Sequence, residues 1–392
     1  MYTISRVGAV RRIGSLIIGV VLIVVLAIVA FGGDGETSHD QNGQGQNGQS
    51  QNGQDQTQTC NLDQPLTEVR GLIGSEKEAF FNDERVRREF ACAGLSITVD
   101  TAGSREMPSA LSRNQYAFAF LSSTPTAQKI MDERAITERY TPFSSPMAVA
   151  TFRPIVDVLT KAGIVQTGTD GNPVVDIAAL LEASRRGTRW DQLPGNLEYP
   201  VRKAVLLSTT DPRESNSGIM YLAIASHVAN GNAVVTNQDQ VRRVLPDLCR
   251  LVLGQGDKPE TSQVLFNQYL IDGMARTPAA LVYEAQFTTT APGQKPNITG
   301  DQMLLYPRPT VYSRHTLIPL DGPNGTGHRV GQALRDDPKL AQLAAEHGFR
   351  PERPPVESAG NRPAPADVIE PPSFELMESM LKAFEPGGQC VG

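Results

Sequence analysis

The sequence predicts an α/β protein of two lobes carried behind one N-terminal transmembrane helix. Three observations support this. Strand and helix signals alternate from residue 68 to residue 121, a second alternating block follows, and an apolar run near the start is as long as a bilayer is thick. The chain of 392 residues has a formal net charge of −6, and no basic stretch lies beyond the N-terminal segment, which argues against a nucleic-acid partner.

Residues 13–33 hold no charged side chain and consist mainly of Ile, Val and Leu. At 1.5 Å per residue, about 20 such residues span a hydrocarbon core of about 30 Å. Arg6, Arg11 and Arg12 precede the run, and Asp34, Glu36 and Asp40 follow it. The positive-inside rule therefore places residues 1–12 in the cytoplasm and everything after Gly33 outside, as a single-pass signal-anchor. A cleaved signal peptide is the alternative; the run is long for one, and Ile28-Val29-Ala30 is a mediocre cleavage site. Residues 34–59 repeat Gln-Asn-Gly-Gln at positions 41, 46 and 51 and hold almost no apolar surface, so a disordered linker is expected there.

The four cysteines, Cys60, Cys92, Cys249 and Cys390, all fall on the expected outer side, where an even number points to two disulfides. Cys60 precedes the first strand and Cys92 ends the helix leading into the second. In a parallel βαβ unit both lie at one edge of the sheet, which favours Cys60–Cys92 and leaves Cys249–Cys390. Buried free thiols are the alternative, and no pair has zinc-ligand spacing.

Within the globular part, Glu68–Ile73, Leu95–Val99 and Tyr116–Leu121 read as strands, with Glu78–Ala91 and Arg105–Arg113 as the helices between them. Pro146–Thr151 reads as a strand leaving that unit. In the second block Asp176–Arg186, Gly218–Asn230 and Gln238–Leu253 are helical, the last kinked or split by Pro246, and Ala204–Ser208 is a strand. Ala279–Tyr283 returns to the first unit, and Met303–Tyr306 and Thr316–Pro319 are further strands. Arg329–His347 and Phe374–Phe384 are amphipathic helices expected on the outside of the first lobe, with a Pro-rich irregular stretch at 351–372. The lobes are thus expected at 60–148 plus 284–392 and at 149–283.

Three segments place small polar residues at a helix start: Gly74-Ser75-Glu76-Lys77, Thr101-Ala102-Gly103-Ser104-Arg105 and Asp211-Pro212-Arg213-Glu214-Ser215-Asn216-Ser217-Gly218. Helix starts carry unpaired N–H groups and partial positive charge, so several meeting at one point make a site for a polar or anionic ligand. Ser75 and Ser104 follow strands one and two, on the edge where open α/β sheets bind ligands, and Ser215, Ser217 and Gly218 open a helix of the second block. Helix capping is the plainer role for each serine, and Ser75 with Glu78 forms a capping box. Lys77, Arg105 and Arg213 are candidate partners for an anion, whereas Glu76 and Glu284 would repel it if they faced the cleft. His-rich metal motifs, G-x-S-x-G and Walker A patterns are absent, and Ser75 and Lys77, two residues apart, point to different helix faces, so no enzyme is predicted. No cofactor is expected.

Gly71-Leu72-Ile73-Gly74-Ser75-Glu76-Lys77 with Phe80-Phe81, Thr101-Ala102-Gly103-Ser104-Arg105-Glu106, and Ser144-Ser145-Pro146-Met147-Ala148-Val149-Ala150 resemble bacterial extracellular solute-binding proteins of the type 2 periplasmic-binding-protein fold. Asp211–Gly218 resembles the serine-rich helix start of the phosphate- and tungstate-binding branches, and Tyr283-Glu284-Ala285-Gln286 and Leu305-Tyr306-Pro307 fit the same group. The resemblance covers roughly residues 66–350. It implies crossover strands near 145–151 and 281–287 and a ligand held by Ser75, Ser104, Ser215 and Ser217, with Arg105 and Glu284 as further cleft residues. The implied function is capture of a small polar, anionic solute for an ABC permease. A sensory or scaffolding ectodomain of the same fold, contacting a membrane or cell-wall partner, is the alternative. Departures from the family are the retained membrane helix and the glutamates Glu76, Glu106 and Glu214 beside the expected donors.

Overall fold

A computed structural model describes residues 60, 64–103, 105–256, 258–354 and 364–391. The expected cytoplasmic segment, transmembrane helix and linker (1–12, 13–33 and 34–59), and Ser104, lie outside the described residues. Among the described residues no helix is long and apolar enough to cross a membrane.

Among the described residues ten strands form: β1 (Thr67–Ile73), β2 (Leu95–Thr101), β3 (Phe118–Leu121), β4 (Tyr140–Phe152), β5 (Val165–Thr167), β6 (Pro173–Asp176), β7 (Ala279–Tyr283), β8 (Gln302–Arg308), β9 (Tyr312–Pro319) and β10 (Arg350–Pro351). Their order is β2-β1-β3-β9-β4-β8-β6-β5, with β7 and β10 also pairing to β4. β1 lies between β2 and β3, parallel to both, as the alternation of strands and helices requires. Both faces of this parallel part are covered. Ile73, Phe80, Phe81, Phe118 and Phe120 pack on one side, and Leu72, Met107, Leu111, Ala119 and Leu121 on the other. Burial on both faces is why β3 reads as an unbroken apolar run.

β4 is the crossover. Its first half pairs antiparallel with β9, and its second half, from Met147, pairs with β7 and β8. The second half belongs to another core, built from Val149, Phe152, Leu159, Leu181, Leu248 and the helix Asn216–Ala229. That helix is buried nearly all round, so it shows no polar stripe. β8, which the sequence places with the first lobe, packs Leu305 into this second core.

Several elements differ from the sequence expectation. The helix expected at 78–91 is two, Glu78–Asn82 and Glu84–Cys92, because the Asp83 side chain accepts the Arg85 N–H and starts a new helix. The 329–347 helix is likewise divided into Thr326–Asp336 and Pro338–Glu346, with Asp337 as cap. Ala204–Ser208 forms only isolated bridges, from Ala204 to Arg189 and from Ser208 to Ala280. Its Val205, Leu206 and Leu207 are buried by side-chain packing in the second core in place of a ladder. Gln238–Leu253 is not split: Pro246 is exposed, so the carbonyl it leaves unbonded can meet water. The C-terminal helix, Phe374–Lys382, buries Met377, Met380 and Leu381 in the second core, not on the outside of the first. Its tail is bonded there through Cys249–Cys390, and Cys60–Cys92 forms the other disulfide.

Candidate functional site

Beyond the carboxyl ends of β1 and β2 lies a cavity of about 230 Å³. The first lobe contributes Gly74, Ser75 and Glu76 after β1, Thr101 at the end of β2 with Ala102, Gly103 and Glu106 after it, and Ser122 after β3. The second contributes Glu214, Ser215 and Asn216 at the start of Asn216–Ala229, and Glu260, Thr261 and Ser262 at the start of Ser262–Asp272. Tyr283, at the end of β7, completes the wall. A larger cavity of about 550 Å³ shares Ser75, Glu76 and Tyr283 with the first and extends past Phe266, Gln263 and Gln294.

The Asn216 side chain ties the two sides together across this space. Asn216 Nδ2 donates to the Ser122 carbonyl at 3.2 Å and to the Tyr283 hydroxyl at 3.0 Å. The Ser313 hydroxyl donates to the same carbonyl at 2.9 Å. Asn216 Oδ1 is buried with no hydrogen-bond partner among the described residues. Burial raises the Tyr283 hydroxyl far above the ordinary tyrosine range, so it stays protonated. At Gly103 a Cβ would come within 2.6 Å of the Glu214 carbonyl oxygen, so glycine is what lets β2's end approach the opposite helix start.

The residues singled out from the sequence divide into cavity and support. Ser75, Glu76 and Ser215 line the cavity. Ser217 lies behind it, sharing hydrogen bonds with Thr210 Oγ1 at 2.7 Å and with Ser215 Oγ at 3.1 Å, and so orients Ser215. Gly218 is a packing requirement, since a Cβ there would lie 2.7 Å from the Pro212 backbone and the Thr210 carbonyl.

The charged residues expected to meet an anion are engaged elsewhere. Lys77 is fully buried, its Nζ paired with Glu76, 3.2 Å from His315 Nδ1 and 5.1 Å from the centre of the Phe120 ring. Burial lowers its pKa, against the raising effect of Glu76. His315 beside it is held well below its ordinary value by burial and then by the Lys77 charge, and is therefore neutral. Arg105 grips Glu378 through two bonds of 3.1 and 2.9 Å and reaches Glu385 at 3.1 Å, joining the first lobe to the C-terminal helix and the turn after it. Arg213 pairs with Asp211. Glu284 is buried and bound by Arg350 at 2.6 and 2.9 Å, with the Tyr306 hydroxyl donating at 3.2 Å. None of these side chains lines the smaller cavity, whereas four glutamates do: Glu76, Glu106, Glu214 and Glu260. Among the described residues no group of three His, Cys, Asp or Glu side chains could hold a metal ion.

Sequence reasoning missed Ser122, Asn216, Tyr283 and the helix start at Glu260-Thr261-Ser262. The last had a readable signal. Thr261 caps its helix by accepting the Val264 N–H, just ahead of the apolar Val264, Leu265, Phe266 and Tyr269.

No protein-family model and no curated protein sequence matches the chain. Solved structures match it in shape. A periplasmic thiamin binding protein is 9% identical, with 83% of this chain and 97% of that chain covered and a TM-score of 0.55. The apo ferric ion-binding protein A of Pasteurella haemolytica is 10% identical, covering 80% and 96%, with a TM-score of 0.52. The sulfate-binding protein SubI of Mycobacterium tuberculosis is 15% identical, covering 80% and 96%, at 0.49. At such identities the likeness is one of fold: the globular part has the type 2 periplasmic-binding-protein fold.

Proposed function

We propose that this protein is a membrane-anchored, extracytoplasmic solute-binding protein that closes two lobes around a small polar solute and passes it to an ABC permease. The observation that carries the reading is the cavity walled by helix starts and strand ends from both lobes, bridged by Asn216. Two disulfides agree with an oxidising compartment, and the apolar run at 13–33 supplies the anchor. Ser75, Ser104, Ser215 and Asn216 are the proposed polar contacts, Ser217 and Lys77 position Ser215 and Glu76, and Arg105 and Glu284 hold the frame. Helix starts alone favour an anionic solute, but the carboxylates around the same cavity weigh against a simple oxyanion.

Native mass spectrometry of the full chain, purified without refolding, tests the reading directly; a small molecule retained in the folded protein is the expected result. Gly103→Ala should weaken binding of that molecule by about 5–30-fold. Its methyl would sit 2.6 Å from the Glu214 carbonyl oxygen, and overpacking of this kind costs about 1–2 kcal/mol. Unchanged affinity in Gly103→Ala would remove lobe closure from the mechanism.

A further inference from the structure

We propose that Arg105 and the C-terminal helix form an ionic clasp beside the cleft, and that its making and breaking sets how readily the two lobes part; this rests on the reading of two lobes that close around a solute. The two ends of the clasp are built differently. Helix Phe374–Lys382 belongs to the second lobe, where Met377, Met380 and Leu381, followed by Ala383 and Phe384, are buried in the core. Gln238 Nε2 donates to the Ser379 hydroxyl at 2.8 Å, and Cys249–Cys390 fastens the tail to helix Gln238–Leu253. That end is held by apolar packing and a covalent bond. The first lobe meets the same helix through charge. Arg105 donates from Nε and Nη2 to the two Glu378 oxygens at 3.1 and 2.9 Å, and from Nη2 to Glu385 at 3.1 Å. Lys129 lies on helix Thr124–Arg134, whose Ala127, Ile130 and Met131 pack in the first lobe, and its Nζ sits 5.0 Å from the centre of the Phe374 ring.

The place of Arg105 makes the pair a control point. It stands two residues after Gly103, whose backbone closely approaches the Glu214 carbonyl, and Thr101, Ala102, Gly103 and Glu106 of the same turn line the cavity. Parting the lobes at that approach carries the turn away from the C-terminal helix, so the clasp has to break. Its strength suits a contact that is made and unmade. A guanidinium gripping both oxygens of a carboxylate is among the stronger polar contacts. Yet the Arg105 and Glu378 side chains keep 25% and 21% of their exposure, and Glu385 keeps 43%, so water and salt compete for all three. Glu378, accepting two bonds and less exposed, carries more of the clasp than Glu385.

The test is double electron–electron resonance on the full chain in detergent micelles, without added solute. Spin labels go on Ser112→Cys, exposed on helix Met107–Arg113 of the first lobe, and on Leu197→Cys, exposed in the second. Arg105→Gln and Glu378→Gln should each bring in a second distance, or enlarge its share about three- to thirtyfold against the first, and Glu385→Gln should do so less. Combining Arg105→Gln with Glu378→Gln should add little to Arg105→Gln alone, because both remove one contact. Raising sodium chloride from about 0.05 to about 1 M should shift the labelled parent the same way, with no residue of the clasp replaced. Distances unmoved by both single variants and by salt overturn the clasp and leave the solute receptor standing. Movement in the variants without movement in salt also overturns it, since the cause is then damage to the helix. A chain that retains no solute in native mass spectrometry fails as a receptor on separate grounds, because the clasp is judged from the distances alone.

Discussion

Glu76→Gln should destabilise the protein strongly at pH 7 and much less at pH 9. Lys77 has no exposed surface, and its ammonium meets the Glu76 carboxylate, the neutral His315 and the face of Phe120. Without the carboxylate, the folded chain must either keep an uncompensated buried charge, at several kcal/mol, or fold with Lys77 neutral. Folding neutral costs about 1.4 kcal/mol for each pH unit below the free-lysine value, which is 10.5. That option caps the penalty near 5 kcal/mol at pH 7 and near 2 kcal/mol at pH 9. The sign follows from proton binding: with Lys77 lowered in the folded variant, the unfolded chain binds more protons below pH 10.5, so stability rises with pH. Urea unfolding of both proteins at the two pH values, followed by far-UV circular dichroism, should show a loss of about 3–5 kcal/mol at pH 7 shrinking to about 2 at pH 9. Adding Lys77→Met to Glu76→Gln should recover most of the loss at pH 7. A cost below about 1 kcal/mol at pH 7, or one equal at both pH values, would refute the buried-pair argument.

His315 stays neutral in the fold while the unfolded chain protonates it below pH 6.5, so the unfolded state binds the extra proton and stability declines as pH drops through that value. His315→Phe, set among Phe120, Phe143 and Phe349, should flatten the pH 5–6.5 stability slope by about 1 kcal/mol per pH unit; an unaltered slope sinks the assignment. Cys390→Ser opens the disulfide between residues 141 apart and should cost about 2–4 kcal/mol, read as a lower melting temperature under non-reducing conditions. A melting curve superimposable on the parent's would mean that the packing of Met377, Met380 and Leu381 and the Arg105–Glu378 pair hold the C-terminal helix without the disulfide.

Local chemistry made much of this protein legible in its sequence. The parallel unit β2-β1-β3 follows from apolar runs separated by helical spacing, and the favoured cysteine pairing from the ends of one βαβ unit. Ser75 and Ser215 could be placed at a strand end and a helix start, because capping and turn preferences act within a few residues, and both line the cavity. Asp83 and Asp337 show the limit even at short range. An aspartate that accepts an N–H two or three residues on restarts a helix that apolar periodicity reads as continuous.

The partner of each charge was decided only by the tertiary structure. Arg105 meets Glu378, 273 residues away, and Glu284 meets Arg350, 66 away; neither distance leaves a trace in local spacing. The same holds for Lys77, one residue beyond Glu76 yet turned into the core while Glu76 faces the cleft. Helix starts could be read as donors, but the gathering of Glu76, Glu106, Glu214 and Glu260 around them required both lobes to be in place. Sequence determines which groups each segment offers, because backbone preferences act over three or four residues. Which groups face one another, and hence the charge a ligand meets, is set by long-range packing of two cores on either side of β4.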